Sequence, residues 1–310
     1  MKSKNEFGTK LLSLKKRRFS SGDIIFIVIA AILIVYSVAL VWLMLWGLFS
    51  SFKDYYTDFG LGNVAGFPRE WTFSNYATVI QNFYEDISLP DGDYRVNAFG
   101  ILVYTALYTV GCAFFATASP CVVAYVVSRF GKKFKWLNIY TSIVLVCLIL
   151  PIVGNVPSEM QIVRALGMYD SIWGMWILKA HFLTMYYLVF LAASSGIPEG
   201  YAEAAKIDGA GNFRIFWSVH LPFIRNLFGT IMLILFISFW NDYQTPLLYL
   251  ESYPTLALWL YKFTTTTKTE LSFVPVKATG AMILMIPMLI MFIFTSKKLL
   301  GNISVGGIKE

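Results

Sequence analysis

Ile24–Phe49 reads IIFIVIAAILIVYSVALVWLMLWGLF, 26 residues without one charged side chain. As a helix it would rise about 39 Å, more than the roughly 30 Å hydrocarbon core of a bilayer. It follows a basic arm, so a signal peptide has to be weighed. The apolar run exceeds the roughly 7–15 residues of a signal core, and no small-x-small cleavage site closes it. A retained membrane anchor is expected. Five further segments are long and apolar enough for the same role: Phe99–Val127, Leu137–Val156, Ile172–Ala193, Leu227–Leu250 and Val274–Thr295.

The composition agrees. Of 310 residues, 57% are hydrophobic and 14% charged, against about half and about a quarter in soluble domains; mean hydropathy is +0.63. Too little polar surface is present to coat a globule of this size. A water-soluble enzyme and a disordered chain are both disfavoured, and an all-helical membrane protein with six spans is expected. Cys112, Cys121 and Cys147 lie inside apolar runs, form no CxxC pair and read as packing residues.

The net charge of +7 is explained by topology. Seven Lys and Arg precede the first span; the loops after spans two and four and the C-terminal tail bring that side to 17, against six on the other. Cationic loops stay in the cytoplasm, so both termini are placed there and nucleic acid is not expected as a partner. The divisions are a basic arm at 1–23, a six-span domain at 24–296 and a tail at 297–310. Within the domain, 50–97 is a long acidic outer loop and 194–226 a cytoplasmic loop. No P-loop, HExxH or metal-ligand spacing is present, so no catalytic residue and no metal site is assigned. Asp91-Gly92-Asp93 starts like a calcium loop, but Arg95 stands where a third oxygen ligand belongs, and a solvated turn is the reading.

The cytoplasmic loop is unusual. Pro198 can open a helix. Glu199, Glu203 and Lys206 share one of its faces, and Ala202, Ala204 and Ala205 favour it. Gly209 and Gly211 end it, and Phe213–Val219 can form a second short helix before Leu221-Pro222. A docking knob and an amphipathic helix lying on the lipid both fit this pattern.

Glu203-Ala204-Ala205, three residues, Gly209, nine residues, Val219, one residue, Leu221-Pro222 resembles the EAA signature of binding-protein-dependent ABC import permeases. The family usually has Ile at the position of Val219. Asp208-Gly209-Ala210 resembles the sugar-importer version. Ala124-Tyr125 with Ser128-Arg129-Phe130, Leu166–Ser171, Trp240–Tyr243, Pro254-Thr255-Leu256 and the ending Gly306-Gly307-Ile308-Lys309 resemble other elements of the maltose-type permeases, so the likeness covers nearly the whole chain. The long acidic outer loop is the least family-like part.

The resemblance implies the type I ABC importer permease fold and a non-catalytic subunit at the cytoplasmic membrane, importing an oligosaccharide or glycan fragment. It implies a second permease subunit, two ATPase subunits or domains carrying ATP and magnesium, an extracytoplasmic solute-binding protein and no cofactor on this chain. It also implies that Glu203, Ala204, Ala205, Asp208, Gly209, Leu221 and Pro222 couple to the ATPase. In that scheme Glu203 makes a polar contact and Gly209 permits the sharp turn after the helix. Gly306, Gly307 and Lys309 would touch the ATPase from the tail.

Lys179 and His181 lie inside the fourth span, where a charge usually faces a cavity or a partner. A sugar path, pairing with the other permease or with Asp242, and snorkelling all remain open for Lys179; His181 also suits a helix–helix contact. Asn241 and Asp242 suit the outer cavity or a cap at the outer surface. The abundant Trp and Tyr residues fit interfacial belts. Three other readings stand beside the main one: a permease of the same superfamily for another solute, a self-sufficient secondary transporter, which should show broken helices in two matching halves, and a membrane enzyme.

Overall fold

The computed structural model describes residues 21–89, 92–150 and 154–303. They are mostly helical. The first helix, α1 (Ser21–Ser51), is apolar around its whole circumference, and Ile24 to Leu43 touch little else in the chain. Its C-terminal end is tied down. Asn75 Nδ2 donates to the Ser51 and Lys53 carbonyls at 2.9 and 2.7 Å, and Thr279 Oγ1 donates to the Ser51 carbonyl at 3.2 Å. These bonds satisfy carbonyls that a helix end leaves without partners.

The outer segment then folds on itself. The Lys53 side chain is buried, and its Nζ donates to the carbonyls of Asn63 and Val64 at 2.8 and 2.9 Å; burial pulls its ammonium below the ordinary lysine range. A short helix, α2 (Ser74–Gln81), leads into an antiparallel hairpin of β1 (Tyr84–Leu89) and β2 (Gly92–Asn97). Ile87 and Val96 are buried in a cluster with Trp240, Trp259 and Phe263. On one face of the hairpin Arg95 pairs with Asp86 at 2.6 Å, and on the face of Ile87 and Val96 Glu85 pairs with Lys262. The long loop at 50–97 therefore packs against the ends of α9 and α11.

The centre of the fold is α3 (Ala98–Phe130), 33 residues. Ile101, Thr105, Tyr108, Cys112, Ala116 and Pro120 line one buried face at helical spacing. Small residues on α3 let other helices approach. At Gly111 an added Cβ would stand 2.0 Å from Trp176 Nε1, and that indole donates to the Leu107 carbonyl at 3.0 Å.

The remaining elements are α4 (Trp136–Ile149), α5 (Val156–Ala165), α6 (Ile172–Lys179), α7 (Met185–Ser195), α8 (Glu199–Ile207), α9 (Asn212–Trp240), α10 (Gln244–Tyr249), α11 (Leu256–Thr265) and α12 (Val274–Ile303). Four helices are long and apolar enough to cross a bilayer: α1, α3, α9 and α12. The other two expected spans take a different form. The third is the 14-residue α4, with α5 starting at Val156-Pro157. The fourth is not continuous: α6 stops at Lys179 and α7 begins at Met185. Side chains from other spans hold the break open. Ser119 Oγ donates to the His181 carbonyl at 3.1 Å and Tyr140 OH to the Phe182 carbonyl at 2.8 Å.

The fifth span also differs. The expected separate helix before Leu221-Pro222 is continuous with it, and the helix ends at Trp240 rather than Leu250. Pro222 has no N–H and would ordinarily interrupt the ladder. A π turn at Phe216–His220 absorbs the defect, with the Leu221 N–H donating to the Phe216 carbonyl five residues back.

Gly111→Val should lower the melting temperature of the solubilised protein, by overpacking worth about 1–3 kcal/mol, and should shift the tryptophan emission as Trp176 is displaced. An unchanged melt and spectrum would contradict this α3–α6 contact.

Candidate functional site

The loop at 194–226 is built around α8. Pro198 stands at its N-cap rather than inside its first turn, and Glu199 carries the acidic start that a helix N-terminus favours. Lys132, from the loop after α3, donates to Glu199 Oε1 at 2.5 Å. That bond holds the Glu199 carboxyl below the ordinary carboxylate range. The pair is exposed, so it orients the helix more than it stabilises it.

The far end of α8 is a Schellman motif. The Gly209 N–H donates to the Lys206 carbonyl at 3.0 Å and the Ala210 N–H to the Ala205 carbonyl at 2.9 Å. Gly209 has φ +80, and nothing lies within 4 Å of the place a Cβ would take. The demand for glycine is therefore conformational and not steric. Gly211 then opens α9 from extended backbone.

Of the residues expected to couple, Glu203, Ala204, Ala205, Asp208 and Gly209 lie together on α8 and its cap. Glu203, Ala204, Asp208 and Gly209 are exposed, and Ala205 is half-buried. Only Ala202 of α8 is buried. Ile207 is 87% exposed, and Phe213 and Trp217, in edge contact with each other at the start of α9, are exposed as well. Leu221 and Pro222 lie just past the π turn of α9, next to Phe223, whose ring packs on Tyr201 of α8. Gly306, Gly307 and Lys309 lie outside the described residues.

The residues expected along a path fall in two places. Lys179 is the last residue of α6 and is half-buried; its charge suits the negative end of that helix. His181, Phe182 and Leu183, in the break that follows, are exposed on the isolated chain. Asn241 and Asp242 follow the end of α9. Asn241 Nδ2 donates to the Ile237 carbonyl at 2.9 Å. Asp242 accepts from the buried Tyr108 hydroxyl at 2.7 Å and from the Thr245 N–H at 3.0 Å, which fastens α10 to α3. Lys179 and Asp242 form no ion pair within 4 Å.

One group escaped the sequence reading. His220 is buried at the end of the π turn, 3.2 Å from Ser194 Oγ through Nε2, and its ring packs on Tyr125 and Phe216. A lone histidine in an apolar stretch gave no signal; only Pro222 two residues later marked the helix there as irregular. Among the described residues no group of three His, Cys, Asp or Glu side chains is placed to hold a metal.

Residues 112–300 match the family model for a binding-protein-dependent transport system inner membrane component. The chain is 31% identical over 233 residues to the diacetylchitobiose uptake system permease protein NgcG of Streptomyces coelicolor, covering 74% of this chain and 71% of the relative. It is 27% identical over 248 residues to the melibiose/raffinose/stachyose import permease protein MelC of Bacillus subtilis, covering 78% and 83%. The fold is similar, with a TM-score of 0.69 over 90% of this chain and 98% of the other, to a bacterial ABC transporter involved in the import of the acidic polysaccharide alginate, at 22% identity.

Gly209→Val should strain the α8 cap by about 1–2 kcal/mol, the cost of left-handed backbone for a residue with a Cβ. Amide exchange across 204–212 should speed up while the spans stay protected. Unchanged exchange would contradict the Schellman closure.

Proposed function

The chain belongs to the family of binding-protein-dependent transport system inner membrane components, and from that premise we propose that it is the permease subunit of an ATP-driven importer for an oligosaccharide or glycan fragment. An extracytoplasmic binding protein delivers the sugar. A second permease completes the path, and two ATPase subunits or domains bind ATP and magnesium and carry out hydrolysis. This chain is non-catalytic.

One observation carries the reading. α8 projects from the membrane domain as a short helix closed at its end by Gly209, with Glu203 and Asp208 exposed and the apolar side chains of Ile207, Phe213 and Trp217 uncovered nearby. Uncovered apolar side chains rimmed by charge are characteristic of a protein docking surface. Seated in a cleft of the ATPase, α8 passes the closure of the ATPase dimer to the spans, and the path changes from cytoplasm-facing to outside-facing. The break at Ala180–Thr184 supports a path along that side of the chain, with Lys179 and His181 at its margin. Asn241 and Asp242 hold the outer end by bracing α10 against α3. The tail residues Gly306, Gly307 and Lys309 add a second contact to the ATPase. Carbohydrate as the cargo is supported by the named substrates of the two relatives. The clustering of cationic loops supports cytoplasmic termini.

The tagged chain, solubilised gently from its native membrane and pulled down, should bring an ATPase and a second permease at stoichiometric level. Glu203→Arg should keep the second permease and lose the ATPase, because an unpaired interfacial charge costs about 2–5 kcal/mol. Recovery of the parent chain alone would favour a self-sufficient transporter, and full ATPase recovery with the variant would remove Glu203 from the dock.

A further inference from the structure

We propose that His220, through its bond to Ser194, is the positioning residue that makes the coupling loop and the spans move as one piece; the inference rests on the importer reading above. α9 runs unbroken for 29 residues from Asn212 to Trp240, about 43 Å at 1.5 Å per residue. It is longer than the bilayer core, so its first turns stand in the cytoplasm beside α8 and its remainder crosses the membrane. Any displacement of α8 reaches the spans along this rod.

The rod has one weak seam. At Phe216–His220, just before Pro222, the regular ladder gives way to a π turn. Such a turn is a place where a helix can bend. A bend there would dissipate the movement of α8 before it reached the bilayer.

α8 has little other purchase on the spans. A cavity of about 160 Å³ separates it from the end of α3, bounded by Tyr125, Arg129, Pro198, Ala202 and His220. Among the described residues its side-chain ties include the exposed Lys132–Glu199 pair, the contact of Tyr201 with Phe223 and the buried Ala202. The seam, by contrast, is braced from two spans. Tyr125 OH of α3 donates to the Asn212 carbonyl at 3.1 Å, and its ring lies 5.1 Å from Phe216 and 4.7 Å from His220. Ser194 of α7 meets His220 Nε2 at 3.2 Å. Ser194 and His220 are both buried. Aromatic packing alone would permit the π turn to slide; a buried directional bond fixes its register, because breaking it strands a polar atom away from water.

The test uses the full complex of both permeases and the ATPase in liposomes, with the binding protein that copurifies with it as the probe. ATP hydrolysis is measured with and without that protein. Ser194→Ala, a change too small to unfold the chain, and His220→Ala should keep the basal rate within about twofold and lose at least about fivefold of the stimulation, the low end of coupling between sites. His220→Gln, which retains a hydrogen-bonding side chain, should recover most of it. Stimulation equal to the parent in Ser194→Ala, or no recovery in His220→Gln relative to His220→Ala, would overturn the joint while leaving the importer reading intact. A parent complex whose hydrolysis ignores the binding protein would overturn both.

Discussion

A chain in lipid must satisfy its backbone N–H and C=O groups internally, because the hydrocarbon offers no partner. Most of this structure follows from that requirement. The spans are helices, and where a helix stops or breaks, a side chain from elsewhere takes the freed carbonyl. Asn75 and Thr279 do so at the end of α1, and Ser119 and Tyr140 do so at the break in the fourth span. α3 supplies such a group at several depths. Its Thr105 accepts the Leu256 N–H near the outer surface, and its Ser119 reaches the mid-span break. The small side chains along its buried face bring the neighbouring helices close enough for these bonds to form.

The same accounting separates what the sequence discloses from what it conceals. Long apolar windows report their own burial in lipid, so α1, α3 and α12 were legible, as was a mostly helical membrane class; the hairpin departs from the all-helical expectation. The break after Lys179 was not, because the bonds that permit it come from Ser119 and Tyr140, far away in the chain. The hairpin was hidden for a similar reason. Tyr84–Leu89 has a weak alternation, and what holds it is contact with Trp259 and Phe263, distant in the chain. Pro222 read as a boundary between helices, but a π turn let the helix pass through it.

The α8 knob was the most legible part of the candidate site, because local geometry dictates it. The alanines favour helix, and Gly209 must take positive φ to close the cap. Leu221 and Pro222 belong to the same sequence signature and lie just past the π turn of α9. Asp242 was legible as a polar residue needing an explanation; its bonds to Tyr108 and Thr245 show a brace. His220 was not legible at all, since its partners Ser194 and Tyr125 come from two other helices.

The central claim is that α8 meets an ATPase and does not lie on lipid. A photoreactive amino acid in place of Ile207, the most exposed apolar side chain of α8, tests it most directly in intact membranes. Illumination should give one principal adduct of this chain with an ATPase subunit, and mass spectrometry should place the crosslink in that subunit. An adduct with lipid alone would mean that α8 rests on the membrane surface, and the coupling account would fail.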